Sequence, residues 1–284
     1  MMNIFEENAP LLSAYWPFLF LPLVVFTLFY ISIMFRKRRG IDEESINDIG
    51  DMDINDQLML SNQSKADRIP YKLPRCDKND LIYKTKSFYQ TMNLRRSCRM
   101  FSSEKVPEIV IENIIKAAGT APSGAHTEPW TFVVVERQDL KKKIRDIIEE
   151  EEEINYTRRM GEKWVNDLKQ FKTDWIKPYL EEAPYLILVF KQTYGFWPDG
   201  TRKVHYYNEM SVSISVGILL AAISNAGLCT VTSTPLNAGT RLRDLLGRPS
   251  NEKCVILLPV GYPSKTATVP NLKRKPLQDI LFRC

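Results

Sequence analysis

Arg95-Arg96-Ser97-Cys98-Arg99 places three guanidinium groups and a hydroxyl within five consecutive positions. Guanidinium forks make charge-assisted, two-point hydrogen bonds to phosphate oxygens, so such a segment could grip one phosphate from several directions. In an extended backbone Arg95, Ser97 and Arg99 would share one side. The same composition also describes a solvated basic surface. A second candidate is the loop Thr120–Pro129, followed by Trp130 (TAPSGAHTEPW). Its Pro122-Ser123-Gly124 lets a backbone turn sharply and approach a flat ligand, while His126, Thr127 and Glu128 add polar groups. Taken alone it is an ordinary turn-rich loop. A third is the acidic run Glu149–Glu153 with Tyr156 beyond it and Lys177 just before Pro178. Glu152 and Tyr156, four apart, share a helix face. By themselves, five consecutive glutamates read as a solvated helix face.

Other chemistries find little support. The five cysteines (Cys76, Cys98, Cys229, Cys254, Cys284) are scattered with no CxxC pair, and the only histidines are His126 and His205. Standard zinc spacing is absent, so no metal is expected. An odd, unpatterned cysteine set suits a reducing compartment. Nothing places a thiol beside an activating base, and His205 is expected to pack beside a helix rather than act as a base. The net charge is only +5 and no basic stripe is interleaved with aromatics, which argues against a nucleic-acid partner. Neither a dinucleotide-type nor a P-loop glycine pattern follows a strand.

These groups need a scaffold. The 284 residues suffice for an anchor and one domain of roughly 200 residues. Residues 1–10 form a short N-terminal segment. Residues 11–35 carry no charge and are rich in Leu, Phe, Val and Ile, with Arg36-Lys37-Arg38-Arg39 immediately after. About 20 apolar residues in a helix cross a hydrocarbon core, so a single transmembrane helix is expected. The run is too long for a signal peptide and lacks a small-residue cleavage pattern. The positive-inside rule puts everything after it in the cytosol. Residues 36–80 read as a basic stop and an acidic, flexible tether. Residues 81–284 read as the folded domain.

Within that domain, Pro107 opens a helix with Ile109, Ile111, Ile114, Ile115 and Ala118 at near-helical spacing, and Gly119 stops it. Trp130–Val135 and Tyr185–Phe190 read as strands. A charged helix from Asp139 to about Phe171, with a break at Gly161, lies between them. Trp197–Gly200 holds a Pro-Asp-Gly turn. A helix from about Asn208 to Ala226 is apolar almost all round, which suits a domain centre or a subunit interface. Strands at Cys229–Ser233 and Cys254–Leu258 flank a helix around Arg241–Leu246. Alternating helices and strands of this kind predict a layered α/β or α+β sandwich.

Taken together, an RRSxR segment, a helix, and APSGxHxxPW leading into a strand resemble the FMN-binding face of the nitroreductase superfamily. Thr232-Ser233-Thr234-Pro235 and Arg274 extend the match. Within that superfamily the chain is similar to the branch that removes iodide from iodotyrosines. The resemblance implies an α+β sandwich whose central sheet is flanked by helices, working as a homodimer with FMN at the subunit interface. It implies that Arg95, Arg96, Ser97, Cys98, Arg99 and Arg274 hold the phosphate and ribityl chain. Pro122 and Ser123 would line the flavin, and Thr232, Ser233 and Thr234 its isoalloxazine edge. Thr234 is the expected catalytic residue, donating a hydroxyl hydrogen bond to flavin N5 in a way that suits one-electron steps. Ser233 stands where a threonine is expected, and a hydroxyl remains.

For the substrate, the resemblance implies a lid of Glu152, Tyr156 and Lys177, with the Ala125 N–H facing the phenolate oxygen. The implied reaction is reductive dehalogenation of mono- and diiodotyrosine, with NADPH as the electron source, directly or through a separate reductase. Two other readings keep the same residues: a general nitro/quinone reductase or halophenol dehalogenase of this fold, and a non-catalytic, membrane-tethered flavin-binding protein.

Overall fold

The structure is a computed structural model and describes residues 68–171 and 173–284. The expected membrane helix at 11–35 and most of the expected tether lie outside the described residues. No helix among the described residues is long and apolar enough to cross a membrane. Residues Lys72–Cys284 form one compact unit.

The domain is organised around a strand that is apolar on both faces. β2 (Tyr185–Gln192, YLILVFKQ) is buried along nearly its whole length. It pairs antiparallel with β1 (Trp130–Val135) on one side and β6 (Glu252–Gly261) on the other. The short β5 (Cys229–Thr230) completes a four-stranded sheet of order β1-β2-β6-β5. Side chains alternate across a strand, and here that alternation sorts β2 between two cores. Leu186, Leu188 and Phe190 enter one and Tyr185, Ile187 and Val189 the other.

Helices cover both faces, as the sandwich expectation requires. On the first face lie α3 (Gln138–Ile154), through Ile144 and Ile148, and α7 (Gly239–Leu245), through Leu242. On the second lie α2 (Glu108–Gly119), through Ile111, Ile114 and Ala118, and α6 (Asn208–Asn225), through Val212, Val216, Leu219 and Ile223. Truncating a fully buried aromatic such as Phe190 would cost about 3–5 kcal/mol. α6 buries one face only: Met210 and Ile214 are exposed. α1 (Lys78–Leu94), capped by the Asp77 carboxylate accepting from the Asp80 N–H at 2.9 Å, buries no residue at all.

Several boundaries differ from the sequence expectation. The single charged helix is three pieces: α3, a π-helical turn Asn155–Arg159, and α4 (Gly161–Lys169). The break falls at Gly161, whose φ of +73° is the left-handed conformation that glycine tolerates. A four-residue α5 (Tyr179–Glu182) then leads into β2. The Pro-Asp-Gly turn lies between two three-residue strands, β3 (Tyr194–Phe196) and β4 (Arg202–Val204), which pair with each other. The strand expected to reach Ser233 ends at Thr230, because only Ser233 regains contact with the sheet, through Leu257.

Candidate active site

The arginine segment is fixed by main-chain pairing. Cys98 N–H donates to Thr230 O at 3.0 Å, and Ser97 bridges Thr230 in parallel, so Arg95–Arg99 runs beside β5. Arg274 returns from the C-terminal segment and donates to Arg95 O at 2.8 Å and Asn93 Oδ1 at 3.2 Å; Arg96 donates to Pro270 O. Arg95, Arg96, Ser97, Arg99 and Arg274 line one cavity of about 1080 Å³, with Leu168 and Phe171 as apolar wall. Partial burial, then the charges of Arg274 and Arg96, pull the Arg95 guanidinium below its ordinary value. None of these four arginines forms a salt bridge among the described residues. Four guanidiniums converging without a counter-charge form a donor set that fits a phosphate dianion. The Cys98 side chain stays out of the cavity: it is buried, its Sγ donating to Met100 O at 3.3 Å.

Glu152, Tyr156 and Lys177 come together, the first two through their i, i+4 spacing and Lys177 from 21 positions beyond Tyr156. Lys177 is buried; its Nζ lies 3.9 Å from Glu152 Oε2 and 5.5 Å from the Tyr156 ring centre. Trp175 meets the Tyr156 ring edge-on, with centroids 6.2 Å apart. Burial pulls the Lys177 ammonium below the usual lysine range, opposed by the Glu152 and Asp174 charges. Burial, and then the Glu152 carboxylate, push the Tyr156 hydroxyl up. The Arg99 charge acts to lower both the Tyr156 hydroxyl and the Lys177 ammonium.

Sequence reasoning missed what holds this clamp. The Lys177 main-chain N–H donates to Glu149 Oε1 at 2.5 Å. Glu149 in turn pairs with Arg145 at 2.7 Å, and Arg145 with Glu181 at 3.0 Å. The i, i+4 spacing of Arg145 and Glu149 is the only trace of this in the sequence. Asn155 was missed too: it shares the α3 face of Ile144 and Ile148, eleven and seven positions earlier, but a polar residue does not register in an apolar pattern.

The Pro122–Ala125 turn is tightly specified. Ser123 Oγ accepts from the Glu128 N–H at 2.9 Å, and Lys203 Nζ donates to Thr127 O at 3.2 Å. A Cβ on Gly124 would sit 2.7 Å from Tyr206 O, so only glycine lets these backbones approach. Ala125, His126 and Glu128 all have positive φ near 50°, a sparsely populated state that clusters at functional sites. Pro122, Ser123 and Ala125 do not line the arginine cavity. His205, as expected, packs inside, its Nε2 3.2 Å from Gln192 Oε1.

Ser233 exchanges main-chain hydrogen bonds with Leu257 (3.0 and 2.9 Å), which leaves Thr232 and Thr234 exposed on either side. Thr234 lines a second cavity of about 790 Å³ between α6 and α7. The candidate residues thus fall into four groups: the arginine cavity, the Glu152–Tyr156–Lys177 clamp, the Thr234 cavity, and the Pro122–Ala125 turn. Among the described residues no cluster of His, Cys, Asp or Glu is arranged to hold a metal.

Residues 93–262 match the family model described as "Nitroreductase family", which fits a two-faced sandwich carrying an anion cradle. The chain is 65% identical over 219 residues to iodotyrosine deiodinase of Hydra vulgaris, covering 77% of this chain and 80% of that protein. It is 61% identical to iodotyrosine deiodinase 1 of Homo sapiens, covering 77% and 76%. Among solved structures it resembles oxidized iodotyrosine deiodinase bound to FMN and 3-iodo-L-tyrosine, with a TM-score of 0.60 and 33% identity over 69% of this chain and 97% of that one. The chain belongs to the nitroreductase family and, within it, to the iodotyrosine deiodinases.

Proposed function

We propose that this chain is an FMN-dependent oxidoreductase that reductively removes iodide from mono- and diiodotyrosine, leaving tyrosine. The observation that carries the reading is the Glu152–Tyr156–Lys177 cluster, half-buried around a buried Lys177 ammonium. In the structure Glu152 and Lys177 neutralise one another loosely, at 3.9 Å. A zwitterion entering between them exchanges one ion pair for two, its ammonium on Glu152 and its carboxylate on Lys177 and Tyr156. Little net charge is buried by that exchange, so the desolvation cost that usually opposes buried ion pairs is partly offset.

The remaining roles follow the grouping of residues. Arg95, Arg96, Ser97, Arg99 and Arg274 hold the FMN phosphate and ribityl chain, with Cys98 contributing main chain only. Pro122, Ser123, Thr232 and Ser233 line the flavin, and Thr234 presents its hydroxyl to the flavin edge. The strained turn presents the Ala125 N–H to the phenolate oxygen of the substrate. Reduced FMN supplies two electrons, which with one proton replace C–I by C–H as iodide leaves with the bonding pair. NADPH is the ultimate reductant, directly or through a separate reductase.

A homodimer is part of this proposal. It is supported by the apolar residues Met210 and Ile214 exposed on α6, by α1 with no buried residue, and by a Pro122–Ala125 turn set apart from the arginine cavity. A membrane anchor with a cytosolic domain is also proposed, on the uncharged run 11–35 and the basic Arg36–Arg39.

The test is the affinity of FMN-loaded Glu152→Gln for diiodotyrosine, read by flavin fluorescence. Weaker substrate binding with FMN still held supports the reading. Unchanged substrate affinity in this variant removes the clamp, and favours the general nitro/quinone reductase.

A further inference from the structure

The two halves of the proposed site, the clamp and the turn carrying Thr234, meet at a single buried amide. Asn155 opens the π-helical turn and is only 2% exposed. Its Nδ2 donates to Glu152 Oε1 at 3.3 Å. Its Oδ1 accepts from Asn237 Nδ2 at 3.3 Å and from Arg159 Nη1 at 3.1 Å. Asn237 lies three residues beyond Thr234, after a tight turn in which Leu236 N–H donates to Thr234 O at 2.8 Å. Asn237 and Thr234 line the same cavity.

We infer that Asn155 is a positioning residue that ties the acceptor of the substrate ammonium to the Thr234–Asn237 turn, so that substrate binding and the placement of the Thr234 hydroxyl are coupled. This deepens the proposed function and rests on it. The hydrogen bonds run in one direction, from the Asn237 amide to Asn155 and from Asn155 to the Glu152 carboxylate. Such a chain polarises itself and strengthens each link.

The tie runs from the residue that opens a π-helical turn, Asn155, to a residue in left-handed backbone, Asn237. A π-helical turn is rare and recurs at functional sites. Asn237 has a φ of +64°, a left-handed state uncommon outside glycine. Asn155 holds its inward place at the last turn of α3, its N–H bonded to Glu151 O and its side chain on the face of Ile144 and Ile148, and its own carbonyl accepts the Met160 N–H at 2.9 Å that makes the π-turn. A left-handed backbone at one end of a hydrogen bond is retained where surrounding contacts over-determine it.

The experiment uses Asn237→Gly, Asn155→Ala and the double variant. Asn237→Gly keeps the left-handed backbone at no steric cost and removes only the amide. Two readouts are taken: diiodotyrosine affinity of the FMN-loaded protein, and trypsin cleavage at Arg158, Lys163 and Lys169 in the flavin-free protein. The inference expects Asn237→Gly, although outside the clamp, to weaken diiodotyrosine binding roughly 2- to 150-fold, the range typical of coupled neighbours. It expects the double variant to be no worse than Asn155→Ala, and lid cleavage to accelerate in Asn237→Gly without flavin or substrate.

Additive losses, or an Asn237→Gly protein with wild-type affinity and wild-type cleavage, would overturn the tie. Should Asn155→Ala fail to fold, exposed Asn237 carries the test alone. A wild-type protein that does not bind diiodotyrosine sinks the proposed function; cleavage of the flavin-free variants then still decides the tie.

Discussion

Lys177→Met is the perturbation that reports most sharply on how substrate is recognised. Methionine keeps the length of the apolar stem and removes the ammonium, so packing around this buried position changes little. In the free enzyme Glu152 loses the cation 3.9 Å away. In the complex the substrate carboxylate loses a charged donor. A hydrogen bond to a charged group contributes about 1.5–3 kcal/mol, and 1.4 kcal/mol is tenfold, so KM for diiodotyrosine should rise roughly 10- to 150-fold. FMN affinity should stay unchanged, because the phosphate is assigned to a different set of side chains. The assay compares diiodotyrosine with diiodophenol, which has the same ring and no zwitterion. The variant should lose its preference for diiodotyrosine while its kinetics with diiodophenol hold. Equal losses on both substrates would refute the reasoning, since Lys177 would then be supporting the fold rather than the carboxylate.

Glu149→Ala removes the acceptor for the Lys177 main-chain N–H, and Glu149→Gln restores a neutral one. A graded rise in KM, larger for Ala than for Gln with kcat little changed, is expected from steady-state kinetics. For pH, burial and then the Lys203 charge hold the His205 imidazole down to about 4, against 6.5 for the free group. The unfolded chain therefore binds a proton that the folded one refuses, so stability falls as pH drops from about 6.5 towards about 4. Urea unfolding of His205→Gln across this range should show that part of the acid loss removed.

Much of the architecture was legible because it rests on local pattern. The run Tyr185–Phe190 could only be a strand covered on both faces, and the alternating helices supply the covers. Gly161 was recognisable as a break because its left-handed backbone needs glycine. The arginine cradle and the clamp were legible as residue types, and their meaning came from resemblance rather than spacing. What escaped is held by contacts distant in sequence. Beyond its local pair with Arg145, Glu149 is singled out by the Lys177 main chain, 28 positions away, and Asn155 by Asn237, 82 positions away. The β3–β4 pair escaped because three-residue strands are too short to show alternation.

The central claim is that this chain's flavin delivers electrons to a carbon–iodine bond. Its most direct test is single-turnover oxidation of the dithionite-reduced, FMN-loaded protein by diiodotyrosine, with flavin absorbance and iodide followed together. Flavin reoxidation matched by iodide release, and abolished by competition with excess tyrosine analogue, is the predicted result. Reoxidation by nitroaromatics or quinones, with no iodide released from diiodotyrosine, would contradict it.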